Sequence, residues 1–164
     1  MAKRKRRPTQ PGEFEDPLSN YDPPQYSDDL ERMLAEETVE VMNIRPFATV
    51  PCDSSIADAI ELMAENDFFG LLVVDEDNRL LGIFSERDVL DKVADNYPII
   101  SGRPITDVMT RDPVCVYETD SPAKALNLMA IGGFRRVPVL DMNDRIVGII
   151  GPKRTTMFLQ EYLG

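Results

Sequence analysis

The segment Gly82-Ile83-Phe84-Ser85-Glu86-Arg87-Asp88 groups residue types able to recognise a small polar molecule. Gly82 lets another backbone or a flat ring approach a strand closely. Ser85 stands where an apolar strand gives way to a helix, so the free N–H groups of the first helical turn suit a phosphate. Asp88 is a short carboxylate able to accept hydrogen bonds from both hydroxyls of a ribose. The same pair has a second reading, because Ser-x-x-Asp spacing forms a capping box that needs no ligand. The two are compatible if the serine caps while Asp88 faces a cleft. Arg87 is either a solvated helix residue or a phosphate contact.

Other chemistry finds little material. The chain has no histidine and two cysteines, Cys52 and Cys115, neither in a CxxC pair. Zinc-finger spacing is therefore absent, and the cysteines read as reduced thiols in or near strands of a cytoplasmic protein. No nucleophile motif and no carboxylate cluster can be arranged for catalysis, so an enzyme is not expected. The 164 residues carry a net charge of −11, with five of the 18 basic residues at Lys3 to Arg7. Setting those five aside leaves −16 on residues 8 to 164. A body that acidic is a poor nucleic-acid surface, and only the basic tail could make such a contact. The start of the chain lacks the apolar run of a secretory signal, and no segment is apolar enough to span a bilayer.

These residues are carried by a two-fold internal repeat. A shift of 66 places Val50 on Val116, Ala57 on Ala123, Leu62-Met63-Ala64 on Leu128-Met129-Ala130, Asp75 on Asp141 and Gly82-Ile83 on Gly148-Ile149. Upstream, a shift of 67 pairs Val41-Met42 with Val108-Met109 and Pro46 with Pro113. Each copy predicts a short strand (Ala48 to Pro51; Val114 to Tyr117) and a helix capped by Ser54 or Ser55 in one copy and by Ser121 in the other. A hairpin with a five-residue loop follows (Asp75 to Arg79; Asp141 to Arg145), then a closing helix (Glu86 to about Ala94; Lys153 to about Leu163). The order is β-α-β-β-α, twice, an α/β (α+β) chain. Residues 1–26, with Pro8, Pro11, Pro17, Pro23 and Pro24, read as a disordered tail. Residues 27–97 hold a leading helix capped near Ser27 and the first copy; residues 98–164 hold a linker and the second.

Three segments on this repeat, Asp107 to Val114, Arg135 to Asp141 and Gly82 to Asp88, resemble the CBS family over about residues 38 to 164. The resemblance implies tandem motifs packed sheet to sheet in one compact module, with up to two clefts between them. It implies binding of an adenosine-containing ligand (AMP, ADP, ATP or S-adenosylmethionine) and pairing into homodimers through exposed helix faces that here include Met157, Phe158, Tyr162 and Leu163. A ligand-free dimerising scaffold is the alternative.

The second copy departs from this pattern: Gly151 stands where Ser85 does and Arg154 where Asp88 does, so the ribose carboxylate is missing. Counting back from the second hairpin turn puts Arg135 opposite Gly151 and Arg136 opposite Ile150. Arg135, Arg136, Lys153 and Arg154 would then gather at one end, either around an anion or against acidic neighbours from the first copy. In the first copy, Phe69 and Leu71 either sandwich an adenine or pack in the core. Thr49 either reaches the ring edge or simply forms strand.

Overall fold

The computed structural model describes residues 22–163; the basic run Lys3 to Arg7 and most of the proline-rich stretch lie outside them. The leading helix α1 (Asp29–Glu36) starts one residue later than expected. Asp28 is its cap, accepting the Glu31 amide at 2.8 Å. Ser27 instead donates its amide and hydroxyl to the Glu31 carboxylate, both at 2.6 Å.

Both copies form the expected elements. In the first, β1 (Thr49–Pro51) runs parallel to β2 (Gly70–Val74), which pairs antiparallel with β3 (Leu80–Ser85). Between them α2 (Ile56–Glu65) is capped by Ser55, whose hydroxyl accepts the Asp58 amide at 3.1 Å. After β3 the chain turns helical at α3 (Glu86–Asp88) and widens to a π turn at Val89–Val93. A 3-10 turn (Ala94–Asn96) leads into α4 (Tyr97–Ile100), so the closing helix is longer and less regular than its sequence suggested.

The second copy repeats the plan. Here β5 (Val116–Tyr117), α5 (Pro122–Gly132), β6 (Val137–Leu140) and β7 (Ile146–Ile150) precede α6 (Pro152–Leu163). Ser121 caps α5 and Pro122 occupies its first position, where a missing N–H costs nothing. Both hairpin turns are tied alike. Asp75 Oδ1 accepts the amides of Asp77 and Arg79, and Asp141 Oδ1 those of Asn143 and Arg145. Asn78 and Asp144 take the left-handed backbone these turns require.

The two halves exchange their leading segments. Chain order groups α1 with the first copy, but Leu30 and Leu34 pack on the second. So do Val39, Met42 and Ile44, which are buried with Val137, Val139, Ile150 and Phe158. The linker does the reverse. Ile105, Val108 and Met109 are buried in the first core beside Ile56, Leu71, Val73 and Phe84. Strand β4 (Thr110–Arg111) then joins the open edge of β3. Opposite it, the Ile149 amide donates to the Ile44 carbonyl at 3.0 Å.

A glycine admits each crossing segment. A Cβ on Gly82 would sit 2.6 Å from Met109 Sδ and 2.7 Å from the Thr110 carbonyl oxygen. One on Gly148 would sit 2.5 Å from Ile44 Cβ. The close approach at Gly82 is thus made by another stretch of backbone. Gly82→Ala is expected to destabilise the chain by about 1–3 kcal/mol, because the obstructing atom is backbone and cannot turn aside. Gly102→Ala, which meets nothing within 4 Å, should stay within about 0.5 kcal/mol. Urea unfolding of both variants checks the pair, and equal effects would contradict it.

Candidate functional site

Ser85 ends β3 and opens α3, and Asp88 lies three residues on, so its carboxylate folds back onto the cap. Asp88 Oδ2 accepts the Ser85 amide at 2.9 Å and the Ser85 hydroxyl at 2.8 Å. Its other oxygen faces the linker. Oδ1 accepts from Lys92 Nζ at 2.7 Å and from Thr110 Oγ1 at 3.1 Å. Asp88 is 5% exposed and Ser85 9%. The capping reading of the Ser-x-x-Asp spacing is thus seen directly, and the same carboxylate also touches the segment that joins the two copies.

The repeat-related position in the second copy is built from opposite chemistry. Arg154 is half-buried, and burial lowers the pKa of its guanidinium. It donates to the carbonyls of Asn43 at 2.6 Å and Ile149 at 3.1 Å, and to that of Pro46. Under the 67-residue shift Asn43 corresponds to Thr110. Where Asp88 accepts from the crossing segment, Arg154 donates to it.

The expected gathering of four cations needs correction on two counts. The hairpin carries a bulge between Val139 and Leu140, so Val137 pairs with Ile150 and Arg136 falls opposite Gly151. Counting from the turn without that extra residue misplaces both arginines by one. Two of the four cations are also already partnered. Arg154 holds the carbonyls just described. Arg136, with its side chain 11% exposed, crosses to the first copy, where its NH2 group lies 2.8 Å from Glu86 Oε1 and 2.7 Å from Oε2. Its stem passes over Gly70, where a Cβ would come within 2.9 Å of Arg136 Cδ. Arg135 and Lys153 are exposed. The acidic-neighbour reading thus describes Arg136, and the repulsion that would have called for an anion is removed at that residue.

Phe69 and Leu71 do not form a slot. Leu71 is fully buried in the first core. Phe69, 54% exposed, lines an apolar groove of about 380 Å³ between α2 and the start of the π turn after α3, with Ile60, Met63, Phe68, Val89 and Leu90. Thr49 lies at the exposed start of β1, in a polar cavity of about 670 Å³ between the two hairpin turns that also includes Phe47, Arg79 and Arg145. Arg87 pairs with Asp91 at 3.1 Å and stays largely solvated. Both cysteines are free thiols, and burial pushes the pKa of Cys115 up to about 11. Phe158 is buried against Tyr162 (ring centroids 5.2 Å apart), whereas Met157 is exposed.

Sequence reasoning missed Lys92, Thr110 and Glu86. Lys92 carried a usable signal, since it stands four residues after Asp88 on a helix. Thr110 and Glu86 meet their partners only across the crossed halves.

A family model described as CBS domain matches residues 39–95 and 105–154. The inosine-5'-monophosphate dehydrogenase of Methanocaldococcus jannaschii is 32% identical over 121 residues, 74% of this chain and 23% of that enzyme. An uncharacterized 17.7 kDa protein of Acidianus ambivalens is 35% identical over 113 residues, 69% of this chain and 63% of its own length. The chain thus spans under two thirds of these relatives. Among solved structures, CBSX2 in complex with AMP superposes with a TM-score of 0.64 at 27% identity, covering 76% of this chain and 98% of that one. PAE2072 from Pyrobaculum aerophilum, complexed with AMP, gives 0.67 at 23% identity, covering 77% and 98%.

The Arg136–Glu86 pair spans the two copies and lends itself to a double-mutant cycle. Arg136→Ala and Glu86→Ala are expected to show a coupling of about 1 kcal/mol or more in urea unfolding. Simple additivity would mean that the pair does not hold the halves together.

Proposed function

Because this chain belongs to the CBS domain family, we propose that it is a regulatory module sensing an adenosine-containing ligand in the cleft where Ser85, Asp88 and Thr110 meet. The observation that carries this reading is the buried Asp88 carboxylate. It faces the segment joining the two motifs, and a ribose hydroxyl reaches it by taking the place of one of its present donors. The first turn of α3 begins beside it, and Arg136 reaches that turn from the second motif, so a phosphate there gains a guanidinium by drawing Arg136 off Glu86. AMP bound to CBSX2, 27% identical to this chain, supports an adenine nucleotide over S-adenosylmethionine. With Arg154 on backbone carbonyls in place of a ribose carboxylate, the second cleft is read as structural.

The reading is regulatory rather than catalytic. The similarity to the dehydrogenase covers 23% of that enzyme, and the contacts around Asp88 place no activated nucleophile next to a base. No helix among the described residues is long and apolar enough to cross a membrane; the site proposed is the cytoplasm. Assembly is supported by the groove between α2 and the π turn after α3, with Phe69 and Leu90 exposed at 54% and 70%. An apolar surface of that kind suits a symmetric homodimer. A ligand-free scaffold is favoured by one observation, the full set of donors already on Asp88, and titration separates the two.

Calorimetry with AMP, ADP, ATP and S-adenosylmethionine is expected to give one site per chain. Asp88→Asn should weaken binding by about 1–3 kcal/mol while the circular dichroism is unchanged. Two equivalent sites, or no heat with any of the four, would count against the proposal. Sedimentation at micromolar concentration is expected to show a dimer, and a monomer there would remove the assembly.

A further inference from the structure

An ionised carboxylate offers about four acceptor positions, and in Asp88 four donors fill them. The Ser85 amide and hydroxyl hold Oδ2 at 2.9 and 2.8 Å; Lys92 Nζ and Thr110 Oγ1 hold Oδ1 at 2.7 and 3.1 Å. A ribose cannot simply be added to this arrangement; one of these donors must leave. The two from Ser85 belong to the cap of α3, and losing them would open the helix start. Thr110 is fixed in β4, paired with Ile83. Lys92 is the movable one. Its side chain is 40% exposed, it is long and flexible, and its ammonium regains water on leaving.

Lys92 also holds something else. The same ammonium donates to the Val108 carbonyl at 2.8 Å. One cation therefore ties the π turn after α3 to the linker, through a carboxylate on one side and a backbone oxygen on the other. We propose, resting on the adenosine reading above, that Lys92 is an internal competitor for that ligand: the ribose gains Asp88 Oδ1 by displacing Lys92. Its departure also removes the side-chain tie to the Val108 carbonyl in the segment that crosses from one motif to the other. Ligand binding and this tie to the linker are then coupled by exchange at one oxygen atom, and the affinity of the site is set partly by how firmly Lys92 is held.

The proposal predicts a sign that simple electrostatics reverses. If Lys92 served as a phosphate contact, removing its charge would weaken AMP binding and leave adenosine nearly untouched. As a competitor, its removal tightens both. Calorimetric titration of adenosine and AMP into Lys92→Met is expected to show about threefold or greater tightening relative to the native chain, the scale of one lost charge-assisted hydrogen bond partly replaced by water. Lys92→Gln, which keeps a donor without the charge, should fall between the two and serves if the methionine variant folds poorly. Unchanged or weaker binding of both ligands overturns the competition while leaving the adenosine reading intact. Weakening confined to AMP overturns it in favour of a phosphate contact. No binding by the native chain or either variant overturns the adenosine reading itself, and the competition with it.

Discussion

The crossing of the two leading segments organises the molecule. Residues 39–44 pack on the second sheet and residues 105–111 on the first, and each passes over a glycine that leaves no room for a methyl group. Neither core is complete with its own motif alone: Val39, Met42 and Ile44 are buried in the second, and Ile105, Val108 and Met109 in the first. Apolar burial of that kind contributes about 1.5–3 kcal/mol for each large side chain. Separating the motifs would therefore expose part of both cores at once.

Because the segments cross, each brings backbone and side chains to the end of the opposite strand pair, where a helix begins. The two crossings are related by the repeat, yet they end in opposite chemistry. At the first, a carboxylate accepts from Thr110 and Lys92. At the second, Arg154 donates to carbonyls of the crossing segment. A guanidinium with its donors on backbone oxygens is a clasp between the halves; a carboxylate that exchanges one donor for another can answer to a ligand. On the reading proposed above, divergence at one position of a duplicated unit separates holding from sensing.

Much of this was legible in the residues. The repeat, the serine caps of α2 and α5, both hairpins and the pairing of Ser85 with Asp88 follow from local patterns, because caps and turns are decided within a few residues. What was not legible depends on long-range geometry. Nothing near Leu30 indicates that α1 packs on the second motif rather than the first. The bulge at Val139 that shifts Arg136 onto Gly151 has no local marker, and neither does the path of Arg136 across Gly70 to Glu86. Phe69 and Leu71 are two residues apart, but β2 begins at Gly70, so Phe69 stays exposed outside the strand while Leu71 is buried in the first core. The Lys92 contact combined both kinds of information: its spacing from Asp88 was local, and its second partner, Val108, was not.

A crystal structure of the chain with AMP tests the central claim most directly. The account predicts one nucleotide per chain, with ribose hydroxyls on the Asp88 carboxylate, the Lys92 ammonium withdrawn from Oδ1, and Arg154 still on the Asn43 and Pro46 carbonyls. A nucleotide bound beside Arg154 or in the cavity between the hairpin turns, with the Asp88–Lys92 contact intact, would contradict it.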